Sequence, residues 1–359
     1  MPPPEPASTP PSTPPNAPPA WPSTLPSAPP DHSMVVESAW RDQAIWSDTA
    51  GRLRLALARW RAMAAVGGVL GVMLIALAGA PLTQGADWDS VRAALSVAGA
   101  LLLALVPYVQ TVKASSAKVS AWTRARSASE ALKEAIYRHL MAAPLADAGV
   151  SPGTVEGTEP ADAPRRAVRV PGSAAALVHR CQAIKQNVAD LSALAASSAP
   201  VLRQRPLTLT PADYLRTRVN DQIDSYYTPK AQQSARIASR LRATEFVLGL
   251  LAVVLGALLA TPVTALPRLQ AVLGTLTPWV GVVATATTAV TAHLAAAKHE
   301  HTATLFFATA GRLRGLRDEW LTDPDRDTPE RVLAFVDSCE HAISAETEGW
   351  LADWTKAGG

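Results

Sequence analysis

Cysteine is scarce in this chain, with two among 359 residues. That excludes a disulfide-built secreted scaffold and fits a reducing compartment. Aromatic residues make up 5% and charged residues 18%, so a hydrophobic content of 48% rests on Ala, Leu and Val. A large soluble core is usually richer in aromatics. The formal net charge of +3 and a pI near 9.0 are too mild to imply nucleic-acid binding. Signatures of catalysis are missing as well. There is no phosphate-binding glycine loop followed by Lys, no dinucleotide fingerprint and no nucleophile-elbow serine. No enzyme, cofactor or catalytic residue is expected. The seven histidines are scattered, and only His299-Glu300-His301, with His293 upstream, form a cluster. Histidines two apart point to different sides of a helix and make poor ligand pairs, so a wet cluster at a membrane edge is expected rather than a metal site.

What the chain does have is four long uncharged stretches. They lie between Arg61 and Asp87, Arg92 and Lys113, Glu245 and Arg268, and Arg268 and Lys298. A helix needs about 20 apolar residues to cross the hydrocarbon core, and soluble helices seldom stay charge-free that long. The expected fold is an all-α integral membrane protein with four transmembrane helices in two tandem hairpins above a cytosolic helical bundle. Arg52, Arg54, Arg59, Arg61, Lys113 and Lys118 flank the first hairpin. Arg236, Arg240, Arg242 and Lys298 flank the second, whereas Asp87 and Asp89 sit in the turn region of the first. Positive charge thus gathers on one side of all four spans, which places both termini in the cytosol of a multi-pass bacterial inner-membrane protein.

Residues 1–33 read as a disordered Pro-rich arm without the pattern of a secretory signal. Met34 opens the first amphipathic pattern and is an alternative start of translation. The rest divides into two units. Residues 34–199 hold spans at about 62–82 and 92–112 and a flexible loop at 143–172. Residues 200–359 hold spans at about 246–266 and 271–296. The units look like a tandem repeat: RWRAMAAVGGVLGVMLIALAGAP from Arg59 aligns without a gap to RLRATEFVLGLLAVVLGALLATP from Arg240. Asp42-Gln43 echoes Asp221-Gln222, and Cys181-Gln182 echoes Cys339-Glu340. Both cysteines fall on apolar stripes and read as core-filling thiols.

Spacings of three and four put Trp122, Leu132 and Ile136 on one helical stripe, and Leu313, Leu316 and Trp320 on another. These stripes, coiled-coil-like in pattern, are candidates for driving assembly. In the fourth span Thr277, Gly281, Thr285 and Thr288 share a face and are candidate pore-lining residues. Threonine also satisfies itself on its own helix backbone or joins neighbouring helices, so the face has a purely structural reading too. The pairs Gly67 with Gly71 and Ala252 with Gly256 would allow close helix approach.

Three motifs carry a family resemblance. They are Tyr214-Leu215-x-x-Arg218-Val219-x-Asp221-Gln222, Ala128-x-Glu130-Ala131-Leu132-Lys133-x-x-x-Tyr137, and Phe335-Val336-x-x-Cys339-Glu340 followed by Glu346-x-x-x-Trp350. In these the chain resembles the SLATT domains, two-transmembrane-helix effectors associated with bacterial nucleotide-signalling conflict systems. It also resembles a related bacterial domain family of unknown function. The resemblance implies oligomeric hairpins that perturb or perforate the membrane once a cytosolic sensor or nucleotide-signalling partner acts, with no catalytic residues. The expected function is therefore a pore-forming or membrane-perturbing effector. It would work in the lipid bilayer as a homo-oligomer, assembled through its cytosolic helices, with no nucleic-acid partner. A membrane scaffold that recruits a partner is the alternative.

Overall fold

Apolar positions at helical spacing, joined to uncharged runs, produce rods longer than a membrane is thick. The computed structural model describes residues 30–80, 86–147, 173–198, 200, 205–260 and 267–356. Among these residues there is no strand. Helix α1 (Pro30–Ala78) is continuous from the extramembrane region through the first span. After a short 3-10 turn, α2 (Asp89–Tyr108) returns and runs into a π-helical turn at Val109–Lys113. Helix α3 (Ser116–Asp147) follows, then α4 (Ala174–Gln186) and the short α5 (Ser192–Ala196).

The second half starts with α6 (Pro211–Tyr214), capped by Thr210, whose hydroxyl accepts from the Asp213 N–H. Two π-helical stretches, Leu215–Asn220 and Gln222–Tyr227, lead into α7 (Thr228–Ala260). Helix α8 (Pro267–Ala297) returns, and α9 (His299–Thr322) and α10 (Pro329–Lys356) complete the chain. Between α8 and α9, Lys298 takes a left-handed conformation with φ of 45° and breaks the rod.

Four helices are long and apolar enough to cross a membrane. They pair as α1 with α2 and α7 with α8, and α8 also lies against α1. The protein is an all-α integral membrane protein. Two boundaries differ from the sequence expectation. Residues 30–33 belong to α1 rather than to the Pro-rich arm, because a helix accepts proline in its first turn. Residues 143–147 continue α3 through Pro144 instead of opening a loop. The remainder of the arm (1–29) and of the expected loop (148–172) lies outside the described residues.

The helices outside the membrane share one apolar core drawn from both halves. Helix α1 contributes Val36, Trp40 and Trp46, and α3 contributes Ala125, Leu132, Ile136 and Leu140. From the second half come Tyr214, Val219, Ile223, Leu313, Phe335 and Cys339. Helix α10 packs on both α9 and the first half's α3, so the halves close on each other. Fully burying side chains of this size stabilises by about 1.5–3 kcal/mol each.

Candidate functional site

Among the described residues, polar groups come together against apolar surroundings in a buried centre of the extramembrane bundle and in a cavity between the hairpins.

The bundle centre is built around Arg218, presented by the first π-helical stretch with 1% of its surface exposed, and Glu340 of α10, fully buried. Arg218 donates from Nε to Glu340 Oε1 at 2.9 Å and from Nη2 to Oε2 at 2.7 Å, a two-pronged match of guanidinium to carboxylate. The Tyr214 hydroxyl donates to Glu340 Oε1 at 3.0 Å. The guanidinium carbon lies 4.9 Å from the centre of the Tyr137 ring on α3. Nη1 of Arg218 has no hydrogen-bond partner.

Burial by itself pulls the Arg218 guanidinium down. The charge and hydrogen bonds of Glu340, with Glu130 and Tyr214, outweigh it and hold the group well above its ordinary range. Burial, then the neighbouring Glu340 charge, pushes the Tyr214 phenol up. Arg218 is therefore a fixed cation, and the centre is an electrostatic clamp rather than an acid–base pair. Tyr137, Tyr214 and Phe335 meet edge to face around it, and Trp320 stacks on Phe335 at 4.9 Å.

All three motifs that carry the family resemblance end at this clamp. Tyr214 and Arg218 come from the first, Tyr137 from the second, and Phe335 and Glu340 from the third. The motifs contain these residues but do not by themselves show which of them pair. Arg and Glu placed among apolar residues in segments far apart were the signal available, since such charges are seldom fully buried unless paired.

The stripes proposed for assembly are turned inward. Leu132, Ile136, Leu313 and Trp320 are core residues, and Trp122 and Leu316 pack against the same core half-buried. Helix α3 packs on α1, α4 and α10, and α9 packs on α7 and α10, so both stripes are covered by helices of the same chain. Cys181 and Cys339 are buried free thiols. Burial pushes Cys181 up to about 11 and Cys339 higher still, which keeps both in the poorly reactive thiol form at neutral pH. The His293 and His299 rings lie 6.1 Å apart near the bundle end of the second hairpin.

The cavity between the hairpins holds about 650 Å3 and is walled by α1, α2 with its π-helical turn, and α8. Thr285 and Thr288 line it. Thr277 and Gly281 do not; both are exposed, and nothing stands within 4 Å of where a Gly281 Cβ would be. The expected four-residue face is thus split. Its half near the bundle looks into the seam between hairpins and its far half looks away from the chain. Thr288 donates to the Ala284 carbonyl at 2.9 Å, and Thr287 does the same to Val283. These hydroxyls satisfy themselves on their own helix and keep lone pairs for a visitor.

Helix approach is equally uneven. A Cβ on Gly71 would lie 2.9 Å from the Gly99 carbonyl oxygen, and one on Gly99 would lie 2.6 Å from that of Gly71. Only glycine permits that crossing. Gly67 and Gly256 face open space.

Residues 214–350 match the family model described as SMODS and SLOG-associating 2TM effector domain 1. Those bounds enclose the second hairpin and both charged members of the clamp. Residues 214–350 form a SLATT-like domain. Residues 42–144, containing the first hairpin, match a family model described only as a protein of unknown function (DUF4231). No curated protein and no solved structure matches the chain significantly. The SLATT-like domain therefore completes its clamp with Tyr137 from the neighbouring match.

Proposed function

We infer that this protein is a non-enzymatic membrane effector whose SLATT-like hairpin perturbs or perforates the bilayer. The observation that supports this most directly is the bareness of that hairpin. The most apolar windows of its two long helices are 0% buried within the chain, against 22% and 11% in the first hairpin. Phe246, Val247, Leu250 and Val253 on α7 are exposed, so an assembly of copies in the membrane has an uncovered apolar surface to use. The extramembrane stripes are already occupied within the chain, which moves the assembly surface from the bundle to the membrane.

In this reading Thr277, Gly281, Thr285 and Thr288 line the path, the bacterial inner membrane is the site of action, and both termini lie in the cytosol. A cytosolic protein or nucleotide signal acts as trigger through the bundle. Scaffolding is the second reading. A cleft of about 1110 Å3 along α1, lined by Trp40, Arg41, Arg52 and Arg205, favours it as a place for a soluble partner.

Membrane potential read with a voltage-sensitive dye in bacteria expressing the full chain separates the two. Depolarisation that Thr285→Leu with Thr288→Leu abolishes, at unchanged membrane level, supports the effector. Unchanged leak in that variant sinks the lining assignment. A steady potential with correct insertion and a captured cytosolic protein favours the scaffold.

A further inference from the structure

The cavity between the hairpins has a polar end and an apolar end, and their order along the helices is the order of a phospholipid. Toward the bundle stand Arg61 of α1, Gln110 of the π-helical turn and His293 of α8. One to two turns deeper the walls are mostly apolar, with Gly68, Leu103, Val106 and Ala289 beside Thr285 and Thr288, whose methyl groups add to the apolar surface. The polar end lies at the membrane boundary, because Lys113 sits 5.4 Å from the centre of the neighbouring Trp60 ring, and such rings settle at headgroup depth.

Small side chains on α1 and α8 open the space, and Pro107 shapes its third wall. Proline cannot donate to the Leu103 carbonyl, and the helix loosens into the π-helical turn immediately after it. The volume of about 650 Å3 falls within the roughly 300–1,000 Å3 of ligand pockets.

Charge selects the occupant. Among the lining residues Arg61 alone carries a permanent charge, and no acid lines the cavity.

We propose that this cavity is a binding site for one anionic phospholipid of the leaflet next to the bundle, its phosphate beside Arg61 and an acyl chain along Gly68, Val106 and Ala289. The site is a property of the seam between the hairpins and does not depend on whether the protein forms a pore. Basic pockets between membrane helices hold anionic headgroups in this way.

The test uses the purified full chain and native mass spectrometry with phosphatidylglycerol or phosphatidylcholine of the same acyl chains. One phosphatidylglycerol per chain is retained, and Arg61→Gln lowers retention about fivefold. Arg61→Lys largely restores it, and Arg54→Gln, which removes an exposed charge on the same helix, leaves it unchanged. Ala289→Leu fills the apolar end and displaces both lipids at unchanged helicity by circular dichroism. Equal retention of the two lipids, equal losses in Arg61→Gln and Arg54→Gln, or displacement by soluble glycerol phosphate would each overturn the proposal.

Discussion

In the first hairpin α1 and α2 meet backbone to backbone at Gly71 and Gly99. In the second, every glycine whose surroundings are described (Gly249, Gly256, Gly274 and Gly281) faces open space. The extramembrane parts differ as well. The second half places Arg218 and Glu340 at its centre, whereas the aligned positions of the first half are Ala39 and Gln182. One half is thus anchored within the membrane by shape, the other outside it by charge. A hairpin held from the bundle but bare in the membrane can rearrange there without unfolding, whereas one locked at a glycine crossing cannot slide.

Removing the clamp should produce the largest effect. Arg218→Met leaves Glu340 charged and buried, and unfolding of the purified protein in detergent should show a loss of about 3–5 kcal/mol. Adding Glu340→Leu should recover much of that, because a matched apolar pair avoids burying charge. If the single and double variants are equally unstable, the clamp works through shape and the contrast between the halves collapses.

The bundle face of the first half has a proton-linked counterpart. His139 is 5% exposed, stacks on His32 at 4.7 Å and has no partner for Nε2. Burial, then the neighbouring His32, lowers its pKa from 6.5 to about 4. Between those values the unfolded chain binds a proton that the folded chain refuses, so stability is full above pH 6.5 and falls as pH drops toward 4. The loss approaches roughly 3 kcal/mol at most. His139→Phe keeps a ring in the stack and should flatten that slope in unfolding measured from pH 7 to pH 4.

The glycine crossing comes next. Gly71→Leu drives a side chain into the Gly99 carbonyl and should cost about 1–3 kcal/mol. Gly249→Leu, facing open space in the aligned stretch, should change stability by less than about 0.5 kcal/mol. The smallest effect sharpens the comparison most, since equal costs would mean that the second hairpin is packed after all.

How much of this was legible in the sequence follows from the range of each interaction. The four spans were readable because charge-free length is a local property. The break between α8 and α9 was not, because a left-handed Lys298 leaves no mark in charge or periodicity. Spacing marks the stripes as apolar faces, but periodicity does not say which surface a stripe meets, and here each meets other helices of the same chain. Continuity of α1 across the membrane boundary has no local signature, since Arg52, Arg54, Arg59 and Arg61 mark where the membrane ends and charge on an exposed face does not interrupt a backbone. The π-helical stretches at 215–227 have no periodicity signature, and they present Arg218. Of the four candidate lining residues, only Thr285 and Thr288 reach the cavity, and spacing along α8 does not say which of its positions face a neighbouring helix.

The Arg218–Glu340 clamp has a consequence for how such a chain is divided. Its two charged ends lie inside one matched stretch, but the aromatic face that covers the guanidinium belongs to the other. A gene fragment encoding residues 200–359 would be a sensible cut by sequence and a poor one by physics. It would open a cation to water on the side where Tyr137 had been and leave α10 without α3 to lie on. The piece that is inherited as a module is smaller than the piece that folds.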